Sequence, residues 1–177
     1  MKSSVLRLLA CVLPVVFAGC ATDYSWKPSV PAEMRSVSVP TFRNETDVAE
    51  LGSIAARQVL REIQREGTFR VQSSDEAALE IQGVVKSAQS AAKAYDRTAN
   101  LRLSAYDFTA AAEVSVIDRR TRKVLVDNRK YTAKAMFTAN QDLATAQRDA
   151  SGRLMEDLAR QVVDDLLNLN WKQGSEK

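Results

Sequence analysis

The sequence predicts an α+β domain in which two helices pack on one face of a mostly antiparallel sheet of four to five strands, in the order β-α-β-β-β-β-α. Three observations carry that expectation. Apolar residues recur at three- and four-residue steps in two segments only, one early in the chain and one at its end. Strand-like alternation fills the interval between them. No Gly-rich phosphate loop, calcium loop or repeat period interrupts the pattern.

The first strand is expected at residues 35–39. Val37 and Val39 share a parity among Arg35, Ser36 and Ser38, and Pro40 ends the run. From Asp47 the period changes to that of a helix of about 19 residues, because Leu51, Ile54, Ala55, Val59 and Ile63 form one stripe opposite Glu50, Arg57, Arg61 and Arg65. Thr46 or Asp47 can cap its start, and Gly67 suits its end. Residues 68–72 and 77–86 read as the next two strands, with Leu79, Ile81 and one of Val84 and Val85 inward, and Gly83 suiting a bulge. Residues 87–100 are rich in Ala, Ser, Gln and Lys with poor periodicity, which predicts a loop between two long strands, with a helical piece as the alternative.

Leu101 and Leu103 alternate on one parity, whereas Tyr106, Phe108, Ala110, Ala112, Val114 and Val116 alternate on the other. That switch implies a bulge or turn near Ala105. Asp118-Arg119-Arg120-Thr121-Arg122-Lys123 is a turn, and residues 124–137 return as the partner strand of a hairpin with a basic tip. The closing helix spans residues 140–168, with Leu143, Ala146, Ala150, Leu154, Leu158, Val162 and Leu166 on one face. Gly152 costs that helix about 1 kcal/mol against Ala and suits a kink or close packing. Residues 172–177 are expected as a polar, disordered tail.

Residues 1–19 read as a lipoprotein signal peptide. Lys2 and Arg7 precede the apolar run of residues 5–17, and the small pair Ala18-Gly19 precedes Cys20. The run is too short to span a bilayer, which takes roughly 20 apolar residues, and Pro14 interrupts it. Phe17 stands where such signals more often carry Leu, and a plain secretory signal ending near a cysteine is the alternative. Cleavage before Cys20 discards Cys11, so the one remaining cysteine is the lipidation site and no disulfide can form. Residues 20–34 are expected as a lipidated tether containing Pro28 and Pro31, and residues 35–171 as a single domain. Tyr24 and Trp26 in the tether fit packing on the domain edge or in the headgroup zone better than a ligand contact. Ala21 rather than Asp follows the cysteine, which by resemblance to the lipoprotein-sorting rule directs the protein to the outer membrane.

Composition narrows the function. The formal charge of +3 falls to +1 when Lys2 and Arg7 leave, 23 basic against 22 acidic residues, so nucleic acid is not an expected partner. Histidine is absent from the chain. Without it and without a free cysteine, the common metal sites and the Ser-His and Cys-His nucleophile pairs are unavailable, and nothing positive supports carboxylate-only catalysis. No catalytic residue, metal or cofactor is expected.

The segment from Tyr24 through Val37-Ser38-Val39-Pro40-Thr41-Phe42-Arg43-Asn44-Glu45-Thr46 resembles the LptE family of lipopolysaccharide-assembly lipoproteins, and the order of elements after it is similar to that family's. Within this stretch Pro40, Phe42, Asn44 and Thr46 read as a structural turn motif, with Phe42 folding under the helix start and the two polar side chains bonding nearby backbone. The resemblance implies a non-enzymatic outer-membrane lipoprotein that is the partner and plug of an LptD-like β-barrel, with its domain on the periplasmic side or inside the lumen. It also gives the basic tip a meaning, since Arg119, Arg120, Arg122 and Lys123 are candidate contacts for lipopolysaccharide phosphates. A solvated basic turn, with Asp118 and Asp127 close by, is the other reading, and Lys130 and Lys134 could extend the patch. A regulator of cell-wall synthesis of the LpoB kind or a CsgG-like secretion-pore subunit explains the tether and turn motif as well. The latter would require lipid-facing strand rows that Asp107, Glu113, Arg129 and Lys130 interrupt.

Overall fold

Four residues, Val39 to Phe42, separate the two short strands that start the sheet. In the computed structural model, which describes residues 30–96, 102–138 and 142–171, a 3-10 turn at Ala32–Met34 leads into β1 (Ser36–Ser38) and β2 (Arg43–Asn44). Both lie along one edge of β4 (Leu79–Asp96), β1 opposite Leu79 and Glu80, β2 opposite Val84 and Val85. Pro40, with no amide hydrogen to donate, marks the break between them. Cys20, Tyr24, Trp26 and the tail of residues 172–177 lie outside the described residues.

The order of elements continues with α1 (Leu51–Glu66), β3 (Arg70–Val71), β4, β5 (Arg102–Asp118), β6 (Lys123–Phe137) and α2 (Leu143–Leu167). The sheet has six strands in the order β3-β1-β4-β5-β6, with β2 beside β4. It is mixed, which corrects the expectation of a mostly antiparallel sheet of four to five strands. β1 pairs in parallel with both β3 and β4, and β2 in parallel with β4, while β4–β5 and β5–β6 are antiparallel. The reason is α1: a helix between two neighbouring strands carries the chain back to its starting end, so the next strand must run parallel.

Both helices cover one face. Leu79, Ile81 and Val85 of β4, Phe108, Ala110, Ala112, Val114 and Val116 of β5, and Tyr131, Ala133 and Phe137 of β6 are buried with Leu51, Ala55, Val59 and Ile63 of α1 and Ala150, Leu154, Leu158, Val162 and Leu166 of α2. The opposite face carries Glu80, Gln82, Glu113, Ser115, Lys130 and Thr132 and is largely polar, as one-sided antiparallel sheets are. Among the described residues no helix is long and apolar enough to cross a membrane.

Several local expectations change. Residues 87–96 are not a loop but the outer half of β4, paired with β5 through Ala88↔Ala110 and Ser90↔Phe108. On the helix-covered side this half carries the small residues Ala88, half-buried, and Ser90, exposed, so alternation of large apolar side chains is absent from the sequence. The parity switch at Ala105 is a bulge: Ala94 pairs with Ala105 but Tyr95 with Leu103. Gly83 is not bulged, since Gln82, Gly83 and Val84 keep register with Ser115, Val114 and Glu113. Neither Thr46 nor Asp47 caps α1; the helix starts after Glu50, which has φ 64° and no side-chain cap. Gly67 ends it with φ 85°, its amide donating to the Ile63 carbonyl at 3.1 Å. α2 begins at Leu143 rather than at 140, because Asp142 accepts from the amides of Ala144 and Thr145, both at 3.1 Å. The last part of the expected tether joins the domain, as Val30 is buried and its carbonyl accepts from Arg35 Nε at 3.1 Å.

A second bulge redirects β6. Val114 pairs with Arg129 but Val116 with Val126, and Asn128 takes φ 40°. The inward phase therefore passes from Val126 to Tyr131, and Tyr131 reaches across to α2, where its hydroxyl donates to Asp165 Oδ2 at 2.6 Å and Arg129 closes on the same oxygen. Burial alone would raise the Asp165 pKa, but the Tyr131 hydroxyl and the Arg129 guanidinium outweigh it and hold the carboxyl below its ordinary 3.8. A depressed carboxylate contributes stability above its unfolded pKa and loses it as pH falls through the folded one. Asp165→Asn should therefore cost about 1–2 kcal/mol at pH 7, a magnitude reduced for partial exposure, and the gap from wild type should narrow as the pH falls below 3.8 and through the lowered pKa of the folded state. Urea titrations of both proteins from pH 7 downward check it; a gap that stays constant as the pH is lowered well below 3.8 would count against the ion pair.

Candidate functional site

The β5–β6 hairpin tip is held by one buried carboxylate. Asp118 is 3% exposed, and its Oδ1 accepts from the amides of Arg120 at 2.9 Å and Thr121 at 3.4 Å, an Asx turn that leaves the following side chains pointing outward. Arg122 then adopts φ 58°, which closes the turn into Lys123. The Arg119 amide donates to the Ala78 carbonyl at 2.8 Å, pinning the tip to the start of β4.

The four basic residues expected as phosphate contacts do share this tip, but they are not equivalent. Arg119 Nη1 lies 2.6 Å from Glu80 Oε2, so its charge is answered on the open face of the sheet. Arg120 lies 3.8 Å from Asp118 and its Nη2 reaches the Met34 sulfur at 3.6 Å. Among the described residues Arg122 and Lys123 have no carboxylate partner, which leaves them as the freest charges of the tip. Lys130 and Lys134 do not extend the patch. Lys134 pairs with Asp107 at 2.8 Å and Lys130 stands opposite Glu113, roughly 20–35 Å along the strand from Lys123. The hydrogen bond from the Lys134 ammonium outweighs desolvation and, with help from Lys93, holds the Asp107 carboxyl below its usual range.

The turn motif lies away from the tip, beside the middle of β4. Phe42 is 3% exposed and lies over Gly83 and under Gly52 at the start of α1. Asn44 Nδ2 donates to the Val48 carbonyl at 2.9 Å, its Oδ1 accepts from the Thr46 hydroxyl at 2.8 Å, and the Val48 amide donates to Thr46 Oγ1 at 3.3 Å. This bracket occupies the Thr46 hydroxyl and explains why it is not the helix cap. Next to it Glu45 bridges Arg43 and Lys86, both at 2.6 Å, and the hydrogen bond from Lys86 lowers its pKa.

Sequence reasoning missed a groove beneath the hairpin tip. It encloses about 300 Å³ between Met34, Arg120, Lys123, Val124, Leu125 and Trp171. A bulge at Leu125, between the pairs Val116↔Val126 and Ile117↔Val124, brings Val124 and Leu125 to the same side, and no strand alternation reveals that. Trp171 packs on Phe69 with ring centroids 6.2 Å apart, so the end of the described chain closes the groove. Among the described residues no cluster of three or more acidic, Cys or His side chains could hold a metal.

With this geometry in hand, the sequence profile of the LptE lipopolysaccharide-assembly family matches residues 34–166. The chain belongs to the LptE family. That span runs from the 3-10 turn to the last turn of α2 and includes the turn motif, the hairpin tip and both helices. LptE membership makes the chain an envelope lipoprotein of lipopolysaccharide-assembly type, within a non-enzymatic family. None of the curated proteins matches it. Among solved structures it is similar to a protein of Xanthomonas campestris (11% identity, TM-score 0.54, covering 82% of this chain and 93% of that one). It is likewise similar to a hypothetical protein of Chlamydia trachomatis (12%, 0.52, 76% and 96%) and to a Caulobacter crescentus protein described as a lipoprotein (17%, 0.50, 75% and 92%). At such identities these likenesses show the shared fold alone.

Proposed function

We propose that this LptE-family protein is anchored in the outer membrane by a lipid on Cys20, after removal of a signal peptide of residues 1–19, and serves as partner and plug of an LptD-like β-barrel in lipopolysaccharide assembly. The family match over residues 34–166 carries this reading. Two features of the fold suit it. The uncovered sheet face is polar, as a surface facing the wet inner wall of a barrel must be. The hairpin tip offers Arg122 and Lys123 with no carboxylate partner among the described residues, and a guanidinium can grip a phosphate through two hydrogen bonds.

The deciding experiment is affinity purification of the tagged, detergent-solubilised protein from its own envelope, with mass spectrometry of what accompanies it. A stoichiometric LptD-like barrel is expected; cell-wall synthases, or the protein alone, would overturn the partner assignment. The anchor is tested by Cys20→Ala, which should abolish palmitate labelling and release the protein from membranes. Labelling that persists in that variant refutes acylation at Cys20. The phosphate role predicts that Arg120→Asp with Arg122→Asp weakens lipopolysaccharide binding about tenfold or more while leaving the unfolding free energy within about 0.5 kcal/mol of wild type, since both side chains are exposed. Unchanged binding would return the tip to an ordinary solvated turn.

A further inference from the structure

The hairpin tip, the groove beneath it and the first described residues of the domain form one patch of surface. The Arg119 amide donates to the Ala78 carbonyl at 2.8 Å and the Ala78 amide donates to Ser36 Oγ at 2.9 Å, so the tip sits on the start of β1. Arg120 Nη2 lies 3.6 Å from the Met34 sulfur, and Arg35 Nε donates to the Val30 carbonyl at 3.1 Å. Pro31, Met34, Arg120, Lys123, Val124 and Leu125 line the same groove. Two kinds of side chain are exposed together on this patch. Arg120, Arg122 and Lys123 are cationic, and the last two have no carboxylate partner among the described residues. Of the carboxylates around them, Glu80 is held by Arg119, Asp118 is buried in the turn and Glu33 lies in the groove wall, so the outward charge of the tip itself is positive. Beside these cations Val124, on the terminal strand of the sheet, is 49% exposed, and Leu125 is half-buried.

Exposed aliphatic side chains flanked by long basic ones suit a bilayer surface: the aliphatic groups leave water for the interfacial layer, while guanidinium and ammonium groups stay level with the phosphates. The chain length outside the described residues says which surface lies within reach. Cys20 is ten residues before Val30, so at most about 36 Å of extended chain joins an acyl group on Cys20 to this end of the domain. Met136, at the other end of β6, stands roughly 40 Å along the strand from Val124. An acyl anchor limits distance but leaves orientation open. A second contact beside the tether fixes it.

We propose that the β5–β6 hairpin tip is a second membrane contact, in which Arg120, Arg122 and Lys123 engage the phosphodiester headgroups of an anionic phospholipid leaflet and Val124 with Leu125 enters its interfacial layer. The reach argument rests on the proposed acylation of Cys20. The contact itself stands on the exposed cations and aliphatic side chains of the tip. Phospholipid and lipopolysaccharide present the same phosphate chemistry to these side chains, and the exposed Val124 favours a lipid surface over a phosphate in solution.

The test uses the protein purified from its own envelope, carrying Val124→Cys labelled with an environment-sensitive fluorophore and mixed with excess vesicles of phosphatidylethanolamine and phosphatidylglycerol that hold spin-labelled, quenching lipids. Quenching at position 124 is expected, with little at Met136→Cys, an exposed position at the far end of β6. Arg122→Glu with Lys123→Glu, or vesicles of phosphatidylcholine alone, should lower the quenched fraction at 124 about fivefold or more, since each basic group near an anionic leaflet adds to the attraction. Equal quenching at 124 and 136, quenching indifferent to charge reversal or to phosphatidylglycerol, or contact that appears only when lipopolysaccharide is added would each overturn the proposal. The anchor is read separately, by flotation with the vesicles in about 1 M salt, where screening shrinks to about 3 Å and an acyl chain still holds. Protein that washes off in salt yet is quenched at 124 without it would sink the acylation and leave the tip contact standing.

Discussion

Gly52→Ala should destabilise the protein by about 3 kcal/mol, although alanine is the better helix former by about 1 kcal/mol. Gly52 is the second residue of α1, where the backbone of Phe42 crosses the helix start. A methyl group built there would lie 2.1 Å from the Phe42 carbonyl oxygen and 3.0 Å from its carbonyl carbon. Those atoms belong to a main chain pinned immediately after Phe42, by β2 pairing with β4 and by the Asn44–Val48 bracket, so they cannot turn aside as a side chain could. Overpacking of this kind commonly costs 1–3 kcal/mol, and a backbone obstacle puts it at the upper end. Gly152 supplies the internal control. It also lies inside a helix, but a methyl group there meets nothing within 4 Å, so Gly152→Ala should stabilise by roughly 0.5–1 kcal/mol. Urea midpoints at unchanged slope measure both. If the two substitutions shift stability in the same direction, the close approach of Phe42 to α1 is wrong.

Phe42→Ala should cost about 3–5 kcal/mol, the usual range for deleting a fully buried aromatic ring. Phe42 is 3% exposed, and its ring lies so close over β4 that a methyl group on Gly83 would stand 2.3 Å from it. This gives a sign reversal to look for. In the wild type, Gly83→Ala should destabilise by roughly 2 kcal/mol through collision with the ring. In the Phe42→Ala background the collision is gone and Ala suits a strand better than Gly, so the same change should be neutral or stabilising by up to about 1 kcal/mol. A double-mutant cycle by urea unfolding reads the coupling directly. Additive effects would mean that the ring and the glycine do not touch. Both experiments probe one idea: Phe42 is the bolt that fixes the Pro40–Thr46 turn between α1 and the sheet, which makes the motif structural.

Much of this architecture was legible because burial writes a period into the chain. Val59 and Ile63, and Leu154, Leu158 and Val162, announced two helices whose stripes are buried as expected. The alternation of Phe108, Ala110, Ala112, Val114 and Val116 announced β5, and Asp118 to Lys123 its turn. The bulge near Ala105 was legible for the same reason, since inserting one residue changes the parity of everything after it. Where small residues face inward the signal fails. The outer half of β4 carries only the small Ala88, packed at the edge of the core, and the exposed Ser90 on that side, so its sequence reads as a loop.

Sequence by itself determined the class of the domain, its two amphipathic helices, the basic hairpin and the family motif, because each depends on local periodicity or on adjacent residue types. Tertiary structure alone decided that the sheet is mixed, since parallel pairing of β1 with β3 and β4 depends on where α1 returns the chain. It alone decided that Arg119 is neutralised by Glu80 while Arg122 and Lys123 have no carboxylate partner among the described residues, and that Lys134 belongs to Asp107 at the other end of the hairpin. The groove beside Trp171 has the same origin: Met34, Val124 and Trp171 are far apart in sequence and meet only because a bulge in β6 and the end of α2 bring them to one edge. Contacts between distant residues leave no periodicity for a single sequence to display.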